Sequence, residues 1–378
     1  MSNIEEQALE AHAKLRGKIE IVQKDPLDEK SKLSLYYTPG VGAVSSHLAK
    51  HPEQTRDYTW TNNSVAVVSD GSAVLGLGNI GPEGALPVME GKAMLFKQFA
   101  NIDAVPVVLK TQNPDEIIKT IQAISPTFGG INLEDIKAPQ CFYIEEELKR
   151  TLSIPVFHDD QHGTAIVALA GLLNACKLTD RELSSSKVVV IGAGAAGSAI
   201  AKLLHHYGTE DIIVLDTKGA IYAGRESLND DKELLATITN QSEIEGDLST
   251  VIEKADIVLG VSQPGMITPL HIKKMNEQPI VFAMANPTPE IMPDVAKETG
   301  VAIMATGRSD FPNQVNNAIA FPGIFRGALD NRVSNITDEH KVAAAKVIAD
   351  LVDHPTPTNI IPPVSDQRLT PAIAAVIT

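Results

Sequence analysis

The chain has 378 residues, 43% hydrophobic and 21% charged, the balance of a soluble globular protein long enough for two domains. Its 47 acidic and 32 basic side chains leave a formal net charge of −15, the wrong sign for a general binder of nucleic acid or of an anionic membrane. A small anionic substrate would then need local cations or a metal at its site.

Residues 4–22 read as a helix of alternating charge with Ala, Leu and Ile positions. They are too polar for a signal peptide, and no run of about 18 apolar residues follows that would span a membrane. Residues 30–46 hold Tyr36-Tyr37-Thr38-Pro39-Gly40-Val41-Gly42, a loop opening a short helix. Residues 65–69 form a strand ending at Asp70-Gly71. Gly76-Leu-Gly78-Asn-Ile-Gly81 fits G-x-G-x-x-G, but Pro82 and Pro87 follow. No helix is expected to open from those glycines, and the segment reads as a loop needing positive φ values. Residues 92–99 are helical, 105–109 a strand, and 114–124 a helix capped by Asn113. A short strand, 130–133, ends at Glu134-Asp135. A helix at 145–151 precedes a strand at 154–157 that delivers His158-Asp159-Asp160. Residues 163–176 form a long small-residue helix, the hinge into a second domain. Cys141 and Cys176 lack metal-type spacing and read as free thiols of a reducing cytoplasm.

The second half opens on Val188-Val-Val-Ile191 running into Gly192-Ala193-Gly194-Ala195-Ala196-Gly197. Gly192 allows the tight turn, Gly194 lets a pyrophosphate approach the backbone, and Gly197 lets helix and strand pack closely. The helix N-terminus then holds the phosphates. The next apolar run ends in Asp216, about 20 positions on, where an acidic residue binds a ribose 2′-hydroxyl and favours NAD over NADP. Strands at 256–260, 280–284 and 301–304 lead into Val261-Ser262-Gln-Pro-Gly265, Asn286-Pro287 and Thr306-Gly-Arg308. Helices at 338–353 and 370–377 close the chain. The fold class is α/β with two domains: an N-terminal α/β catalytic domain, 1–160, and a Rossmann-like doubly wound NAD-binding domain with C-terminal helices, 161–378.

Glu134, Asp135 and Asp160 cluster at strand ends and suit a hard cation such as Mg²⁺ or Mn²⁺. On spacing alone, the first two serve equally well as a helix start, and Asp159-Asp160 as a turn. Lys92 reads equally as a solvated charge and Tyr37 as a packed aromatic. His158 and His162 have an i, i+4 spacing, but no helix is convincing across them and the Glu of H-E-x-x-H is missing, which argues against zinc. Asn286, Asn316 and Asn317 could orient a carboxylate or cap turns.

Taken as an ordered set, these motifs resemble the malic enzymes, in their small bacterial form, over nearly the whole length. The set is Tyr37-Thr-Pro-Gly-Val-Gly42, Leu75-Gly-Leu-Gly78 with Gly91-Lys92, Leu133-Glu-Asp135, Phe157-His-Asp-Asp-Gln-His-Gly-Thr164, residues 192–197, Gly260-Val-Ser-Gln-Pro-Gly265, Ala285-Asn-Pro287, and Asn316-Asn317 with Phe321-Pro-Gly323. The resemblance implies oxidative decarboxylation of L-malate to pyruvate and CO₂ with reduction of NAD. It implies Mg²⁺ or Mn²⁺ on Glu134, Asp135 and Asp160, Lys92 as general base, Tyr37 as general acid and Asp159 beside them. It further implies that Asn286 and Asn317 contact substrate, Asn286 also the nicotinamide, and that Val261 and Ser262 join the cofactor site of a cytoplasmic homodimer. One departure stands out. Ala73 occupies the slot after Asp70-Gly71-Ser72 where the long eukaryotic form looks to have an arginine after Asp-Gly-Glu, which implies another anchor for the substrate carboxylates: Arg308 is one candidate and a basic residue from a partner subunit is another. The alternatives are a malolactic or simple hydroxy-acid dehydrogenase, or a non-catalytic dinucleotide sensor.

Overall fold

The computed structural model describes residues 3–378. Short runs rich in Val and Ile, mostly buried on both faces but half-buried in the edge run at 103–108, build two sheets that are almost wholly parallel. The first contains β1 (Ser64–Ser69), β2 (Asp103–Val108), β3 (Gly130–Leu133) and β4 (Val156–His158), in spatial order β2-β1-β3-β4. The second contains β5 (Lys187–Ile191), β6 (Asp211–Asp216), β7 (Gly219–Ala220), β8 (Ile257–Gly260), β9 (Ile280–Ala283) and β10 (Ile303–Thr306). Its order is β10-β9-β8-β5-β6-β7, and only the β6–β7 hairpin is antiparallel. The strand order reverses between β5 and β8, and a crevice beyond the carboxyl ends at such a point is where open α/β sheets take ligands.

Helix Asp159–Leu178 joins the two sheets. Buried residues lie on nearly all its faces, as expected for a helix with protein on every side. It starts earlier than expected and passes without a break through residue 160. Helix Phe321–Asp330 returns to the first sheet's layer, setting Phe321 4.7 Å and Phe325 5.3 Å from Phe96, and Phe325 5.9 Å from Phe157, between ring centroids. One apolar cluster thereby runs from Val65 and Phe96 to Val188 and Ile257.

Two expectations are corrected. The N-terminal helix Asn3–Leu15 stops before residue 22, at Arg16 and Gly17, whose φ values of 55° and 116° end a helix in the left-handed region. A helix does open at the Gly76–Gly81 loop: Gly81–Ala100 runs through Pro87. Pro82 is preset for the first turn, where its missing N–H costs nothing, and packing against β1 and β2 outweighs the one bond lost at Pro87. The cap at Asn113 is as expected, its side chain accepting from the Asp115 and Glu116 N–H groups at 3.0 and 3.2 Å. Both cysteines are buried and free, and burial pushes the Cys176 thiol up to about 12. Among the described residues no helix is long and apolar enough to cross a membrane.

Candidate active site

The carboxyl ends of β1, β3 and β4 converge. The Glu134 N–H continues the ladder to the Val68 carbonyl at 2.9 Å. At Asp135 the chain then turns through φ 55°, a value non-glycine residues adopt rarely. The turn is held by Ala73 N–H donating to the Asp135 carbonyl at 3.0 Å, and by Asp135 N–H donating to Asp160 Oδ2 at 2.7 Å. Asp160 sits in the first turn of helix Asp159–Leu178. One ligand oxygen from each of Glu134, Asp135 and Asp160 lies within 4.8 Å of the others, the one such group among the described residues.

The electrostatics fit a divalent cation. Asp135 Oδ2 is buried and receives no hydrogen bond. Burial first, then the neighbouring carboxylates, push Asp135 up to about 9 and raise Glu134. Burial likewise lifts Asp160 to about 6. Three desolvated carboxylates facing one another are costly unless positive charge joins them, and oxygen donors of this kind suit Mg²⁺ or Mn²⁺.

Helix Gly81–Ala100 delivers Lys92, which is 7% exposed. Its Nζ donates to Asp159 Oδ2 at 2.6 Å, lies 2.9 Å from Glu134 Oε1, and stands 4.3 Å over the Phe321 ring. Burial works against the ammonium, but Asp159 and Glu134 more than offset it and hold Lys92 above the ordinary lysine range. Asp159, fully buried, is pushed up to about 6 by desolvation despite Lys92. A side chain at Gly163 would place its Cβ 2.0 Å from Asp159 Oδ1 and 2.9 Å from Asn317 Cβ. That glycine lets the Asn317 turn approach Asp159 closely.

The glycine loop at residues 192–197 is built for close approach. A Cβ at Gly192, where φ is 114°, would sit 2.8 Å from the Val261 carbonyl oxygen, and one at Gly197 would sit 1.7 Å from the Gly192 carbonyl oxygen. At Gly194 nothing lies within 4 Å, which leaves room for a phosphate. Helix Ala195–Tyr207 follows, opening on Ala195 and Ala196 after the half-buried Ala193. Beyond β8 and β9, the Ser262 N–H and the Ala285 N–H both donate to the buried Glu290, at 2.8 and 3.1 Å, so one carboxylate ties the Val261-Ser262 loop to the Asn286 turn. A Cβ at Gly76 would lie 2.4 Å from the Asn286 carbonyl oxygen. The first domain's glycine loop therefore rests on the second domain's asparagine turn.

Two groups here escaped the sequence reading. Glu290 is a lone acidic residue in an otherwise uncharged stretch, a weak signal. Glu145 is buried and accepts from the His158 N–H at 3.0 Å, from Gln161 at 3.1 Å and from Lys149 at 2.7 Å, with His162 Nε2 at 2.9 Å. It braces the turn that carries Asp159 and Asp160. Burial raises its carboxyl, but His162 and Lys149 hold it well below the usual range. A helix does cross His162, contrary to expectation, and His162 Nε2 is engaged by Glu145 at 2.9 Å. Burial lowers both His158 and His162, the latter to about 3.

Three expected residues stand apart from the cluster. Tyr37 is 66% exposed, and its hydroxyl makes no hydrogen bond among the described residues. Arg308 pairs with Asp310 at 2.6 Å and donates to the Pro287 carbonyl at 3.0 Å, so it lies at the Asn286 turn with its charge already partnered. Asp216 ends β6, as expected, but is engaged by Arg225 at 2.5 Å and Lys232 at 2.6 Å.

Comparison with known proteins follows these two halves. The family model described as malic enzyme, N-terminal domain, matches residues 16–149, and that described as malic enzyme, NAD binding domain, matches residues 161–378. The chain is 54% identical to the bifunctional malic/malolactic enzyme of Bacillus subtilis, across 99% of this chain and 92% of that relative. It is 49% identical to the NADP-dependent malic enzyme of Halomonas elongata, across 94% of this chain and 84% of that one. The crystal structure of an NAD-dependent malic enzyme from Thermotoga maritima superposes with a TM-score of 0.95 at 49% identity, covering 98% of each chain.

Proposed function

The chain belongs to the malic enzyme family, and on that premise we propose that it oxidises L-malate at C2 with NAD and releases the C4 carboxyl as CO₂, leaving pyruvate and NADH. The observation that carries this reading is the buried meeting of Lys92 with Asp159 and Glu134, beside the carboxylates Asp135 and Asp160.

Glu134, Asp135 and Asp160 would hold Mg²⁺ or Mn²⁺, which when bound supplies positive charge to the substrate carboxylate and C2 oxygen. Residues 192–197, with Val261, Ser262 and Asn286, would hold NAD, which supplies the hydride acceptor. Lys92 takes the C2 hydroxyl proton, and its 2.6 Å contact gives it a partner, Asp159, to which its own proton passes first. The raised carboxyl of Asp159 makes that transfer less uphill than to an ordinary aspartate. Asn317, admitted by Gly163, orients the substrate. After the C3–C4 bond breaks, C3 needs a proton, and Tyr37 is its donor.

Tyr37 reaches that position from a second copy of the chain. Helices Lys30–Tyr36 and Val41–Lys50 have no buried residue, and Leu33, Leu35, Tyr36 and Val41 around Tyr37 are exposed. An apolar patch of this sort suits a homodimer interface. The enzyme works in the cytoplasm, as its free buried thiols fit.

A malate-dependent rise in NADH absorbance with Mn²⁺ present tests the reading, and its absence overturns it. The name of the Bacillus subtilis relative favours one second reading, conversion of malate to lactate. Product analysis separates the two: pyruvate with stoichiometric NADH, or lactate with none.

A further inference from the structure

An acidic residue at the end of the second strand of such a domain serves NAD by accepting hydrogen bonds from the ribose hydroxyls. Asp216 stands at that place, but its acceptor capacity is already used. Lys218 N–H donates to Oδ1 at 2.8 Å and Arg225 Nη1 to Oδ1 at 3.0 Å. Arg225 Nη2 donates to Oδ2 at 2.5 Å and Lys232 Nζ to Oδ2 at 2.6 Å. A carboxylate offers about four lone-pair sites, so nothing remains for a ribose hydroxyl while these donors stay.

The two cations are not equivalent. Arg225 also donates to the Gly219 and Ala220 carbonyls, at 3.1 and 3.0 Å, and its side chain is 9% exposed. It is fixed in the β6–β7 hairpin. Lys232 lies in the first turn of helix Asp230–Ile238, its side chain is 26% exposed, and Asp216 is its sole ion-pair partner among the described residues. One carboxylate against two cations leaves a formal surplus of one positive charge. Within this trio the repulsion that an unpaired aspartate would exert on a 2′-phosphate is cancelled; the same helix turn also carries Asp230, Asp231 and Glu233, and Lys232 is the more exposed of the two cations.

We propose that Arg225 and Lys232 turn the adenosine-ribose end of this site into a 2′-phosphate subsite, so that the chain takes NADP as well as NAD, with Lys232 leaving Asp216 for the phosphate. The proposal rests on the nucleotide-site reading above and revises the NAD preference that Asp216 alone suggests. Arg225 neutralises Asp216 in place, and Lys232 makes the direct phosphate contact as a point charge.

The test uses two probes that carry only the adenosine end, 5′-AMP and adenosine 2′,5′-bisphosphate, titrated calorimetrically into the whole protein. The bisphosphate is expected to bind tighter than 5′-AMP by about tenfold, the size of one charge-assisted hydrogen bond. Lys232→Ala should erase most of that advantage while leaving 5′-AMP affinity nearly unchanged. Because Lys232 is half-buried at a helix start, Lys232→Gln, which keeps length without charge, guards against a packing effect and should behave alike. Equal or weaker binding of the bisphosphate by the unaltered protein overturns the proposal alone. An advantage that survives in both variants overturns the role of Lys232. Failure of both probes to bind overturns the nucleotide-site reading, and the proposal with it.

Discussion

Lys92 Nζ donates to Asp159 Oδ2 across 2.6 Å, with 7% of the lysine side chain and none of the aspartate exposed to solvent. The two come from different elements, the helix after the glycine loop and the helix after β4. A buried pair of this kind is costly to keep unless it is used, since well-packed apolar residues are often as stable. Its neighbours are the carboxylates best suited to a cation, which places a movable proton beside them.

Lys92→Ala should lower malate oxidation by ~10²–10⁴-fold, the usual worth of a general acid–base group. It should retain relatively more decarboxylation of supplied oxaloacetate, which bypasses the hydride step. Steady-state rates on both compounds measure this, and equal losses on the two would remove the base role.

Tyr37→Phe should slow pyruvate formation from malate and from oxaloacetate alike. Mixing it with Lys92→Ala, dissociating and reassociating, separates a donor within one chain from a donor across a dimer. A shared site recovers about a quarter of the unaltered activity, the statistical share of sites with neither defect in a symmetric dimer. No recovery beyond the two parents returns Tyr37 to its own chain's site.

Asp160→Asn should raise the Mn²⁺ concentration needed for half-maximal turnover or abolish turnover, because two carboxylates underligate a hard cation. Metal affinity by calorimetry, read without substrate, checks it. Full activity of this variant in excess chelator would exclude the three-carboxylate site.

Gly197→Ala and Gly194→Ala should fail differently. A Cβ at residue 197 meets backbone at 1.7 Å, so helix and strand must move apart, and a thermal midpoint lowered by an overpacking cost of about 1–3 kcal/mol is expected. At residue 194 the space is open, so stability should hold while NAD affinity falls. Calorimetric unfolding and NAD titration on each variant decide it, and equal midpoints would contradict the packing.

Acid should destabilise the protein partly through His162. Burial pushes its folded value down to about 3, while an unfolded histidine takes a proton near pH 6.5. The unfolded state therefore binds more protons below about pH 6.5, and stability falls as pH drops from there toward 3. Glu145 is also held low, so its contribution is lost only below the ordinary carboxyl range. His162→Gln should flatten the fall in thermal midpoint between about pH 7 and 5, and an unchanged slope would remove His162 as its source.

By itself the sequence determined what is local. The Val-rich strands, the Asn113 cap, the glycine loop at 192–197 and the segments after strands that carry Glu134, Asp160 and Asn286 are all written in short-range pattern, because backbone sterics and period-two burial act over a few residues. Where long-range packing competes with local preference, the pattern failed. Pro82 and Pro87 read as breakers, yet helix Gly81–Ala100 runs through them against the sheet. Only the tertiary structure decided which charges meet. Lys92 and Asp159 are 67 positions apart, Glu145 braces a turn 13 residues on, and Glu290 joins two loops. Asp216 reads in sequence as a free ribose acceptor, but Arg225 and Lys232 lie upon it. Electrostatic partnership depends on distance and burial, and those are set by how the chain returns on itself.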